Sequence, residues 1–330
     1  MQHTVQHTVL RFAAARVRQT AIVAFIVTSL AFALVHAAPG NPFASLDPDQ
    51  QTAPALAEMR LRYGLDLPLY QQYPAMLLNF AKGKFGISFS QARPVSEVLR
   101  QVIPDTLLLM GPALMLGVLF GAGLGTWQGA RAGRVGDRMA SALSLGVLSF
   151  PEFLIALIAA SIFAVRLGWF PAGGMLQAGA PHGSVVNLIG DYVVHATLPV
   201  ATLALVVTAV VARFQRAAVI GALSEEFVRT ARAKGAGRRR VLVQHVLRRT
   251  AASLCTLLGL LFPSLIGGAA IVEEVFGWPG AGHTLVAAVG GRDYPLVVAL
   301  VTVGSIAVCL GSALADAGAA FANPATPLDA

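Results

Sequence analysis

Charge is scarce in this chain. Only 12% of its 330 residues are Asp, Glu, Lys or Arg, and 56% are hydrophobic before its 33 glycines are counted. Soluble domains carry about 25% charged residues, so this chain could not cover a soluble surface of its own size. Cysteine is scarce too. Cys255 and Cys309 are the only two, each within an apolar run, which excludes a disulfide framework. Phosphate-cradling G-x-x-x-x-G-K-[ST], metal-binding H-E-x-x-H and nucleophile-bearing G-x-S-x-G strings are missing. Alternating β-barrel patterning is absent as well. A multispanning helical membrane protein remains, and the mean hydropathy of +0.69 agrees.

Spanning a bilayer core takes about 20 mostly apolar residues in a helix. Six windows qualify, 20–38, 106–127, 139–165, 196–212, 251–272 and 294–315, and Glu152 is the one internal charge. Six crossings put both termini on one side. Segments 1–19, 128–138, 213–250 and 316–330 hold 16 Lys/Arg, whereas 39–105, 166–195 and 273–293 hold 8. Basic residues favour the cytoplasmic face, so both termini are expected there. The net charge of +8 thus reflects topology and points to no nucleic-acid partner. Arg11, Arg16 and Arg18 before the first apolar run mimic a leader, but Val35-His36-Ala37 is a poor cleavage site, and the run is read as a retained span. The doubled QHTV at 2–9 places His3 and His7 four apart, too few ligands for a metal site, and is read as a frayed, solvated terminus.

The parts between the spans have their own patterns. Residues 39–105 follow a Pro39-Gly40-Asn41-Pro42 turn cluster, include a helical stretch near 53–63, and carry enough Tyr and Phe for a small folded external cap. Gly117, Gly121, Gly125 and Gly129 form a stripe on one helix face, where a second backbone can pack closely or slide. Glu152 follows Pro151, which kinks helices. Its carboxylate fits either a lining role in a polar path or a structural hydrogen bond. His195 and Asp191 lie at a span edge without evident partners. In 213–250, Ser224 reads as an N-cap with Glu225 and Glu226 in the first turn. Lys234 closes that helix, Gly235 is its C′ residue, and a second helix begins near Arg238. Ala231 and Ala233 give it a small-residue face.

At this loop the sequence resembles the membrane-spanning subunits of ABC importers. Their cytoplasmic signature, EAA followed by three residues and glycine, is matched by Arg229-Thr230-Ala231-Arg232-Ala233-Lys234-Gly235. The longer FVRTARAKG at 227–235 is similar to the dipeptide, oligopeptide and nickel branch. Further blocks agree in order: HAAPGNP at 36–42, YGLDLPLYQQY at 63–73, GKFGISFSQARPVSEVL at 83–99 as a strand-and-turn run, VRLGWFPAGG at 165–174, and VEEVFGWPGAGHTLVAAVGGRDYPLV at 272–297. The tail departs from the family, with Asn323-Pro324-Ala325 in place of Asp-Pro-Arg.

The resemblance implies an all-α integral membrane protein with the type I importer fold. Its parts would be the first span in 1–38, an external segment at 39–105, a core at 106–320 and a cytoplasmic tail at 321–330. A second homologous permease subunit, two ATPase subunits holding ATP and Mg, an external substrate-binding protein and membrane lipid would be its partners. The chain itself would bind no cofactor or metal and catalyse nothing. Residues Glu226, Phe227, Val228, Arg229, Thr230, Ala231, Arg232, Lys234 and Gly235 would form the element that couples to the ATPase, with Phe227 and Val228 as apolar anchors and the cationic side chains meeting acidic groups. The cargo could be a dipeptide, a longer peptide, nickel, a metal chelate or an opine-like molecule. An ion-coupled secondary transporter is the alternative, but it calls for inverted repeats and buried ionisable groups. No clear repeat is present.

Overall fold

A computed structural model describes residues 2–38, 66–177 and 184–322, with side chains undescribed at 2–12, 263–265, 267–268 and 319–322. The helix expected near 53–63 and the tail at 323–330 lie outside it. Among the described residues the chain is helical. In order come α1 (Gln2–Ala37), α2 (Leu69–Ala81), α3 (Val95–Ala130), α4 (Val135–Ser149) and α5 (Glu152–Ala159). They are followed by α6 (Val185–Ser224), α7 (Glu226–Ala233), α8 (Arg238–Arg240), α9 (Leu247–Val275), α10 (Ala281–Gly290) and α11 (Tyr294–Ala322). Wider π-type turns extend α5 over Ala160–Arg166 and join α8 to α9 over Val241–Val246. The doubled QHTV, expected as a frayed terminus, lies within α1 from Gln2 on.

Among the described residues, four helices are long and apolar enough to cross a bilayer: Ala13–Ala37, Val95–Ala130, Val185–Ser224 and Tyr294–Gly318. The window at 139–165 is not one straight span. Val135–Ser149 and Glu152–Arg166 meet at 99°. Pro151 has no N–H to continue the ladder and disfavours helical geometry in the residue before it. Phe150 accordingly leaves the helix at φ −90°, ψ 137°. Counting the bent pair as one crossing gives five. The remaining window, 251–272, lies within α9, which is 29 residues long.

The chain divides into two compact units. One comprises residues 17–106 and 279–307. Its core joins Val95, Val98, Leu99 and Val102 of α3, one face at i, i+3, i+4 and i+7, to Leu296, Ala299 and Leu300 of α11. The expected strand-and-turn run at 83–99 contains a single antiparallel bridge, Ile87 to Pro94. The turn it closes is pinned by buried Asp293, whose Oδ2 accepts from the Ser90 N–H at 2.9 Å and the Ser90 hydroxyl at 2.7 Å, and from the Ser88 hydroxyl. Too few residues lie beside this turn for a ladder to continue.

The other unit comprises residues 1–16, 107–278 and 308–330. Here the glycine stripe of α3 packs on α6. Cβ atoms added at Gly117, Gly121 and Gly129 would lie 2.5, 2.6 and 2.7 Å from the Cβ atoms of Val207, Val211 and Val219. Gly125 faces the Ala212 backbone and Gln215. The partners advance by four as the glycines do, so α3 and α6 run parallel in fixed register. Farther along, the Gly174 N–H donates to the Phe276 carbonyl at 2.8 Å. That bond joins the 165–174 turn to a segment whose Phe276 and Trp278 are fully buried.

Candidate functional site: a capped amphipathic helix and the polar girdle beneath it

The chain turns sharply where α6 ends. Ser224 is not the cap foreseen from sequence. Its hydroxyl donates back to the Gly221 carbonyl at 2.7 Å, inside α6. Glu225 takes the capping position, extended at φ −72°, ψ 156° and without a side-chain cap bond. Serine near a helix end can satisfy the preceding carbonyls as readily as the following amides, so the turn falls one residue later.

α7 is two turns long and two-faced. Val228 is 1% exposed, in a core with Val219 and Ala222 of α6 and with Val241 and Val246, against which Phe227, Ala231 and Ala236 also pack. Glu226, Arg229, Thr230, Arg232, Ala233, Lys234 and Gly235 are exposed. Two expectations change. Val228, expected as an apolar anchor for the ATPase, packs into its own chain. Ala231 and Ala233 do not share a face, because residues two apart on a helix point in opposite directions. Phe227 is half-buried, its ring 6.5 Å from His245.

The far end of α7 closes as the sequence indicated. Gly235 has φ +83°, a left-handed conformation that glycine adopts without the Cβ penalty. Its N–H donates to the Arg232 carbonyl at 2.9 Å, and the Ala236 N–H to the Ala231 carbonyl at 3.0 Å. Those two bonds are the Schellman pair. Beyond the turn, the Arg238 guanidinium donates to the Ala130 carbonyl at the end of α3.

Beneath this surface runs a polar girdle that sequence reasoning missed. The Arg216 guanidinium grips Asp137 with both arms, Nε to Oδ1 at 2.6 Å and Nη2 to Oδ2 at 2.8 Å. Asp137 is fully enclosed and also accepts from the Gly133 N–H at 2.9 Å. Next to Arg216, buried Gln215 donates through Nε2 to the hydroxyls of Thr126 and Thr250, both at 3.1 Å. Adjacent residues of α6 thus bind α3, α4 and α9. The available signal was an acid in the first turn after a short loop and an Arg at a span end. Both also fit ordinary surface positions.

Glu152 heads α5 directly after the break and is half-buried. No hydrogen bond or ion pair reaches its carboxylate among the described residues, so the structural-bond alternative finds no support. His195 and Asp191 do have partners. The His195 ring Nδ1 lies 3.0 Å from Asp191 Oδ1, and the other carboxylate oxygen of Asp191 accepts from the Gln177 N–H at 2.7 Å.

Residues 113–326 match the family described as binding-protein-dependent transport system inner membrane component, and residues 9–110 match its N-terminal membrane component. The glutathione transport system permease protein GsiC of Escherichia coli (strain K12) is 35% identical over 301 residues, covering 91% of this chain and 94% of the relative. GsiC of Shigella dysenteriae serotype 1 aligns to the same extent. The chain therefore belongs to the binding-protein-dependent transport system inner membrane component family. It is a multi-pass inner-membrane permease subunit of an ABC importer.

Proposed function

We propose that this permease crosses the membrane six times, with α9 as the remaining crossing, in the type I importer arrangement, and with both termini and the 213–250 loop in the cytoplasm. It forms half of a translocation pathway with a second homologous subunit. Two ATPase subunits, which hold the ATP and Mg, dock on the cytoplasmic side, and an external binding protein delivers cargo. The chain contributes no cofactor and no catalysis. The cargo is a small peptide of the glutathione class, supported by the naming of the 35%-identical relatives as glutathione transport permeases.

The observation that carries the reading is α7. It is a short helix whose apolar face is held by its own chain and whose exposed face presents Glu226, Arg229, Thr230, Arg232, Lys234 and Gly235. Seated on an ATPase, it would convert closure of the nucleotide sites into movement of α6, giving alternating access by rigid-body motion. Glu152, at the head of the broken span, lines the path.

Co-purification tests it. Tagged permease extracted in mild detergent should bring down an ATPase subunit, and the complex should hydrolyse ATP faster when glutathione-loaded binding protein is added. Permease that purifies alone and transports with an ion gradient in ATP-free vesicles would overturn the reading.

A further inference from the structure

We infer that Asp137 and Arg216 are positioning residues for transport, a clamp that passes displacement of α7 to the broken span carrying Glu152. The inference rests on the coupling role proposed for α7. Four observations place the clamp on that route. α7 packs on the last turns of α6 through Val228, Val219 and Ala222. Arg216 stands on α6 one turn before Val219. Asp137 stands in the first turn of α4. α4 then leads without interruption to the 99° break and Glu152.

The chemistry fits a link that stays closed while its surroundings move. A bidentate Arg–carboxylate pair fixes orientation as well as distance, because two parallel N–H···O bonds resist rotation of one helix against the other. Asp137 is fully enclosed and takes a further backbone bond from Gly133. Opening the pair would strand that carboxylate without its counter-charge. Gln215 reinforces the same level by tying α6 to α3 and α9. Ordinary packing would let α4 slip along α6. The clamp does not.

The test uses the whole importer in proteoliposomes, with glutathione as the cargo probe. Asp137→Asn, Arg216→Gln and their double variant remove charge with little change of shape, and Arg216→Lys keeps charge without the fork. Stimulated and basal ATP hydrolysis and uptake are measured per assembled complex, alongside yield. The neutral single variants should keep basal hydrolysis and lose about tenfold in stimulation and uptake, the size of a typical coupling between sites. The double variant should be no worse than the weaker single, as for two residues acting as a unit. Arg216→Lys should assemble with an intermediate ratio.

A purely structural pair would alter yield and leave the stimulated-to-basal ratio intact, and that result overturns the inference. Failure of every variant to assemble, Arg216→Lys included, overturns it too. Gly235→Val is run in parallel. If it keeps full stimulation, the role of α7 itself falls. If it uncouples the complex and Asp137→Asn does not, only the clamp falls.

Discussion

The N–H of Ala236 donates to the carbonyl of Ala231 at 3.0 Å across the turn that ends α7. That bond requires Gly235, between them in sequence, to sit at φ +83°. A β-branched residue at that φ costs about 1–2 kcal/mol, although nothing lies within 4 Å of an added Cβ. The penalty is conformational and falls on the tilt of α7. Gly235→Val is expected to insert normally, to bind the external protein and to lose substrate-stimulated ATP hydrolysis. Full stimulation in the reconstituted complex would remove α7 from the transmission route.

Charge reversal at Arg229 and Arg232 together should weaken ATPase docking. Both side chains are exposed, so their contacts are screened, and the defect should depend on salt. Binding of purified ATPase to permease proteoliposomes, measured between low and high ionic strength, reports it. A defect independent of salt would mean that the helix itself has been disturbed.

Glu152→Gln should reduce uptake and leave yield unchanged. Among the described residues no partner is lost when its charge is removed. Loss of assembled complex, with normal uptake per remaining complex, would assign the carboxylate to folding instead.

The glycine stripe gives a stability contrast within one helix. Gly121→Val places a Cβ 2.6 Å from that of Val211 and 2.9 Å from the Thr208 carbonyl, an overpacking cost of about 1–3 kcal/mol. Gly123→Ala meets nothing within 4 Å and should match wild type or exceed it slightly. Thermal unfolding in detergent compares the two. Equal midpoints would show that α3 and α6 separate in the folded protein.

The proposed sidedness rests on the Lys/Arg asymmetry. In a background lacking Cys255 and Cys309, Lys82→Cys should react with an impermeant thiol reagent from outside and Arg239→Cys only after lysis. Both positions are exposed. The opposite pattern would invert the assignment.

What could be read from the sequence was whatever depends on neighbours along the chain. Gly235 ends α7 as its local pattern demanded, and Pro151 disrupts the third apolar window, though the 99° angle is set by packing that no local pattern records. The Ser224 cap was misplaced by one residue, because a hydroxyl at a helix end has two local choices and composition does not decide between them. Val228 looked like a partner-facing anchor because an eight-residue helix reveals two faces but not which one its own chain covers. Asp137 and Arg216 are 79 residues apart in sequence. Nothing local marks a pair at that separation, and the same holds for Gln215 with Thr126.

The parallel packing of α3 on α6 is a staircase with one odd step. Three treads seat a valine under a glycine. The fourth seats Gln215 under Gly125, where its amide reaches both Thr126 and Thr250. Advancing α6 by one turn, about 6 Å at four residues, would still seat two of the three valines under neighbouring glycines of the stripe. It would also drag Gln215 away from both hydroxyls and leave its buried Nε2 donor without them. One polar residue among small apolar ones therefore makes a repeating surface single-valued. A glycine ladder that could have been a slide is a splined joint.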